Sequence, residues 1–165
     1  MKNGFLNILL ILISFSCSKV ESDFPSNQIA YSFLVAGHVY GSPNPNANEF
    51  GLYPPFKEDF NYIQEFPNMY YAIFTGDVVR SGSNQAQWDS ALIDIDQLGI
   101  DYHIAAGNHD RGEVFLDNFG LYYYSFMEGN DLFVILNSHQ WNIEGDQKEF
   151  LINTLEEADS AQNVF

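Results

Sequence analysis

The sequence predicts an α/β fold built on a largely parallel sheet, and three observations carry the prediction. Three short apolar runs, "AYSFLVAG" ending at Gly37, "MYYAIFTGD" over 69–77 and "DYHIAAGNHD" over 101–110, each close on glycine and polar residues, as buried strands do. Segments of helical period lie between them. No internal repeat or low-complexity stretch breaks the alternation, which is the pattern of strand–helix–strand units.

The N-terminal stretch stands apart from that pattern. Met1, Lys2 and Asn3 precede an apolar run from Phe5 to Phe15, short of the roughly 20 residues that span a bilayer, so residues 1–17 read as an export signal. The run stops at Ser14-Phe15-Ser16-Cys17, around the single cysteine of the chain. This resembles the cleavage and acylation site of a bacterial lipoprotein, which implies lipidation at Cys17, a membrane anchor and a place in the cell envelope. Plain secretion with an incidental thiol is the other reading. Without a second cysteine no internal disulfide braces the fold. Residues 18–28, "SKVESDFPSNQ", are polar and aperiodic and suit a tether, leaving 29–165 as one folded domain.

Within that domain the elements follow in order. After the first strand, "SPNPNANEFGLYPP" carries four of the six prolines, so it is a long loop. Phe56, Phe60, Ile63 and Phe66 recur at helical spacing over 56–66. Over 84–99, Trp88, Leu92, Ile95 and Leu98 mark the inner side of a second helix that stops at Gly99. "LYYYSFMEGNDLFVILNS" reads as a hairpin turning at Gly129-Asn130-Asp131. "EGDQKEFLINTLEEAD" is a further helix with Phe150, Leu151, Leu155 and Ile152 as its inward candidates. Asn163-Val164-Phe165 looks like the opening of another strand, so the chain is expected to be a fragment, incomplete at the C-terminus.

Composition narrows the function. A content of 46% hydrophobic residues suffices for a packed core. The formal net charge of −16, one unit more negative without Lys2, argues against nucleic acid as a partner.

Three strands in succession end in polar residues: His38, then Gly76-Asp77, then Gly107-Asn108-His109-Asp110. In open α/β sheets ligands sit beyond the carboxyl ends of the strands, so these ends are expected to form one site. An imidazole, a carboxylate and an amide oxygen suit Zn, Fe or Mn, and a central carboxylate can bridge two ions.

Here the sequence resembles the calcineurin-like metallophosphoesterases, whose motifs run Asp-x-His, Gly-Asp, Gly-Asn-His-Asp or Glu, and then two later histidine blocks. "GDVV" at 76–79 and "GNHD" at 107–110 match, each after a strand. The resemblance runs from about Ala30 to the end. It implies a β-sandwich flanked by helices, a phosphomonoester or phosphodiester substrate, and two divalent ions (Mn, Fe or Zn). It makes Asp77 the bridging ligand, Asn108 a ligand of the second metal and His38 a ligand of the first. His109 becomes the proton donor to the leaving oxygen, with Asp110 orienting it.

Two departures stand out. Ala36 occupies the place of the acid in Asp-x-His, and the two later histidine blocks are not in the sequence. A non-catalytic binding module on the same fold is therefore the alternative function, and a structural surface lipoprotein a third. Arg80 and Arg111 each lie just past a ligand motif, where a guanidinium could grip phosphate or simply balance nearby acids. His103, inside the third strand, reads as structural, and His139 as an exposed loop residue.

Overall fold

A computed structural model describes residues 31–41, 50–139 and 141–165. The export signal with Cys17, the tether over 18–28 and the proline- and asparagine-rich part of the loop over 42–49 lie outside the described residues.

Strands β1 (Ser32–Ala36), β2 (Met69–Phe74) and β3 (Asp101–Ile104) form a parallel sheet in the order β1-β2-β3. A second sheet contains β4 (Tyr124–Glu128), β5 (Asp131–Ile135) and β6 (Asn163–Val164), with β5 antiparallel to β4 and parallel to β6. Alternation along β2 assigns its two faces. Ala72 and Phe74 join Trp88, Ala91, Ile95, Phe60 and Ile63 beneath the helices, while Tyr71 and Ile73 join Phe133 and Ile135 between the sheets. Both faces of β2 are thus covered, which is why its sequence is a continuous apolar run rather than an alternating one. Each large side chain buried this way contributes about 1.5–3 kcal/mol. The architecture is the expected sandwich flanked by helices.

The helices show where periodicity suffices and where it does not. The segment over 56–66 divides into α1 (Pro54–Glu58) and α2 (Phe60–Glu65), because the Asp59 N–H closes on the Phe56 carbonyl three residues back and tightens the turn. Phe60 and Ile63 are buried as expected; Phe66 is exposed, already in extended backbone beyond α2. Helix α3 (Gln85–Asp96) starts at Asn84, whose side chain accepts the Gln87 N–H, and Gly99 beyond its end adopts φ +64°. Trp88 and Ile95 are fully buried, Leu98 is buried just past the helix, and Leu92 is half-buried.

Helix α4 (Glu113–Phe119) has no counterpart in the sequence reading. Its seven residues fall below the length at which a 3.6-residue period is distinctive, yet Phe115 and Phe119 pack on Trp88 at 5.8 and 5.3 Å. Helix α5 (Gly145–Glu156) corrects the expected inward set: Phe150 and Leu151 are half-buried, whereas Ile152 and Leu155 are exposed. Gln147, its one buried residue, clamps both the N–H and the C=O of Asn137 at 2.7 and 3.0 Å.

His103 faces the second sheet and stacks on Phe126 with ring centroids 3.4 Å apart. Beside it the Tyr124 hydroxyl donates to the Ile104 carbonyl and accepts its N–H, both at 3.1 Å. Burial holds the His103 imidazole below its ordinary value of 6.5, with Asp101 opposing the shift. The unfolded chain therefore takes up this proton first, and stability present above pH 6.5 is lost as pH falls toward the folded value. His103→Phe should lose less stability than wild type between pH 7.5 and 5.5, read as the change in urea unfolding free energy.

Candidate functional site

The carboxyl ends of β1, β2 and β3 meet through the backbone before any side chain is considered. The His38 N–H donates to the Gly76 carbonyl at 2.8 Å, and the Val39 and Tyr40 N–H groups both donate to the Asp77 carbonyl at 3.0 and 3.2 Å. His38 and Asp77 each adopt φ +56°, the left-handed region that non-glycine residues rarely occupy and that costs about 1–3 kcal/mol. That conformation turns the two side chains together: His38 Nδ1 lies 3.1 Å from Asp77 Oδ2. Asp77 Oδ1 accepts the backbone N–H of His109 at 3.3 Å.

Two glycines permit this approach. A Cβ on Gly76 would sit 2.7 Å from the Gly107 Cα, and one on Gly107 would run into the Asp77 carboxylate and amide. The sequence requirement for Gly-Asp followed by Gly-Asn-His-Asp thus has a steric basis in the contact between the two turns.

Asp110 holds those turns together. Its fully buried side chain accepts the N–H groups of Asp77 (2.6 Å), Gly107 (2.8 Å), Val78 (2.8 Å) and Val79 (2.9 Å). Burial pushes this carboxyl above the ordinary carboxylate range, and the four amides oppose the shift by favouring the charged form. Asp110 was expected to orient the His109 ring, and this is corrected. Its carboxylate is committed to backbone amides, and His109 Nδ1 instead lies 2.9 Å from the Arg80 carbonyl. A carbonyl only accepts, so Nδ1 carries the hydrogen and Nε2 is left to bind or release a proton. This partner of His109 had no signal in the sequence, because every residue carries a carbonyl.

The remaining expected residues fall as follows. Asn108 is exposed at the tip of the third strand's loop. The Tyr40 ring lies against both His38 and His109, with the Arg80 guanidinium carbon 5.7 Å from its centroid. Arg111 stacks 4.1 Å over the Tyr122 ring and donates to Asn137 Oδ1 at 3.0 Å. It borders a polar pocket of about 450 Å³ that Asn137, His139 and Gln147 also line. His139 is exposed, and His103 lies between the sheets, outside this group.

A family model described as calcineurin-like phosphoesterase matches residues 31–160. The chain belongs to the calcineurin-like phosphoesterase family. No curated protein matches it. Among solved structures it is similar to a purple acid phosphatase from seeds of yellow lupin (Lupinus luteus), with 19% identity and a TM-score of 0.57. That likeness, one of fold, covers 79% of this chain and 28% of the phosphatase chain, so the chain spans less than a third of that neighbour.

Calcineurin-like phosphoesterases use divalent metals, and the donors of this member fit such ions in kind but fall short in number. His38 Nδ1 and an Asp77 oxygen converge as two ligands of one ion would. The Ala36 side chain offers no lone pair to an ion, and its carbonyl already accepts the Thr75 N–H at 2.7 Å. Among the described residues no group of three or more His, Cys, Asp and Glu gathers, whereas tight sites bring three or four protein ligands.

The Asp110 contacts yield a stability prediction for this phosphoesterase fold. Asp110→Asn keeps the shape but turns an NH2 group toward backbone donors, so it should lower stability by about 3 kcal/mol. Denaturant titration reads the loss as a fall in midpoint at unchanged slope.

Proposed function

We propose that the chain carries residues of a phosphoester hydrolase site, in an exported protein anchored to the bacterial envelope through a lipid on Cys17. The observation that supports it most directly is the union of three strand ends. His38 and Asp77 meet at 3.1 Å, and His109 is oriented beside them by the Arg80 carbonyl at 2.9 Å. The substrate is a phosphomonoester or phosphodiester, in line with family membership.

His38 and Asp77 would hold one divalent ion (Mn, Fe or Zn), and Asp77 with Asn108 a second; bound ions supply Lewis acidity to phosphoryl oxygens and acidify water. In its doubly protonated form His109, with Nδ1–H held on the Arg80 carbonyl, would present Nε2–H to the leaving oxygen and give up that proton, becoming neutral, as a water oxygen bonds to phosphorus and the ester P–O bond breaks. The Asp110 carboxylate contributes by holding the Asp77 and Gly107 turns in contact rather than by touching the imidazole. Arg80 and Arg111 supply local positive charge to an otherwise acidic chain, which an anionic ester needs in order to dock.

Ala36 and the two-donor sites favour a second reading, a binding module on the phosphoesterase fold without turnover. Assay of the protein loaded with Mn or Zn on an aryl phosphate separates the two. Asp77→Ala and His109→Ala should each lower kcat by about 100-fold or more; stoichiometric metal with no turnover in wild type supports the binding module. Arg80→Ala and Arg111→Ala should each raise KM for the aryl phosphate, since each removes a positive charge next to a strand-end motif. An unchanged KM in both variants would contradict a role for these arginines in docking the ester.

A further inference from the structure

His38 follows one edge strand of the first sheet and His109 the other, with β2 between them, yet one aromatic ring lies against both imidazoles. The Tyr40 ring lies 4.6 Å from the His38 ring and 5.4 Å from the His109 ring, tilted by 49° and 54°. Its mount is rigid. The Tyr40 N–H is tied to the Asp77 carbonyl at 3.2 Å, and Tyr40 pairs across an antiparallel bridge with Leu52, which is 1% exposed. Flanking bonds close the same bridge, Tyr53 N–H to the Val39 carbonyl at 2.7 Å and Gly41 N–H to the Gly51 carbonyl at 2.8 Å.

The two histidines are otherwise lightly held. The His38 side chain is 70% exposed, and among the described residues its imidazole has two partners, Asp77 and Tyr40. The His109 ring has one hydrogen bond, to the Arg80 carbonyl. Neither Asp77 nor the Arg80 carbonyl bonds to both rings, whereas the tyrosine lies against both.

We propose that Tyr40 is the positioning residue of this site, a wall common to both imidazoles that fixes the orientation of one against the other. Its apolar ring keeps His38 Nδ1 on Asp77 and His109 Nδ1 on the Arg80 carbonyl, so that a ligand atom and a proton-bearing atom from opposite edges of the sheet stay in register. The kinetic consequence rests on the hydrolase reading above; the structural one does not. Misplacement of reacting groups by about 1 Å lowers rates on the order of 100-fold, and a shared wall guards against it at both groups together.

The test compares wild type with Tyr40→Phe, which keeps the ring, and Tyr40→Leu, which removes it, using proteins labelled with ¹⁵N in the imidazoles. The His109 Nδ1–H should exchange with solvent about 10-fold faster in Tyr40→Leu, with increased mobility of the His38 ring, while Tyr40→Phe matches wild type. With aryl phosphate, Tyr40→Leu should lower kcat about 10-fold or more with KM little changed, and Tyr40→Phe should restore it. Unchanged imidazole exchange and mobility in Tyr40→Leu would overturn the proposal, as would a Tyr40→Phe variant that behaves like Tyr40→Leu. Tyr40→Met serves the same comparison if the leucine variant does not fold. Absence of turnover in wild type would count against the hydrolase reading alone, since the imidazole spectra still decide the role of Tyr40.

Discussion

Four backbone N–H groups converging on the Asp110 carboxylate, at 2.6 to 2.9 Å, are the constraint on which the rest of the site depends. Three of those amides, from Asp77, Val78 and Val79, belong to the turn after β2, and the fourth, from Gly107, to the turn after β3. A buried carboxylate without donors would be expensive, and buried amides without an acceptor equally so. Each makes the other tolerable, and the two turns are locked at a separation that only glycines at 76 and 107 allow. The positive φ of Asp77 follows from this locking, and with it the direction of the carboxylate that His38 and the His109 amide share.

The site is therefore organised mainly by backbone. His38 N–H, Val39 N–H and Tyr40 N–H are donated to carbonyls of the β2 turn, and the His109 ring rests on a carbonyl of Arg80. Side chains add direction to a framework that the strand ends already fix. An arrangement of this kind keeps its geometry when a flanking side chain changes, which is how alanine can stand at position 36 while the neighbouring turn still brings His38 to Asp77. Compared with a carboxylate at that position, the Ala36 side chain lacks a negative charge and two acceptor oxygens.

Below the strand ends the sheet serves two cores at once. Ala72 and Phe74 face Trp88 and the helices, and Tyr71 and Ile73 face Phe133 and the second sheet. His103 belongs to this second core, stacked on Phe126, and its neutral form suits a place where burial disfavours charge. Among the described residues the acidic side chains lie mostly at or near the surface, with Asp94 and Asp110 as the buried exceptions. Asp94 is matched by Lys57 at 3.0 Å and by the Leu52 amide at 2.8 Å, which anchors the segment that carries the bridge to Tyr40.

Taken alone, the sequence determined the order of the strands and of the two longest helices, the ends at which the polar residues gather, and the expectation that Gly76-Asp77 and Gly107-Asn108-His109-Asp110 share one site. These were legible because each rests on local chemistry: an apolar run, a helical period, a glycine where the chain turns. Tertiary structure alone decided that Asp110 holds two turns together instead of orienting His109, that the Arg80 carbonyl does the orienting, and that Tyr40 lies against both imidazoles. It also decided that seven residues from Glu113 form a helix and that Leu155 faces outward. The physical reason is the same in each case. A carboxylate, a carbonyl or an aromatic ring acquires its role from whichever donor or ring the fold brings within about 3 to 5 Å, and the sequence carries no local pattern that records such a meeting between different strand ends.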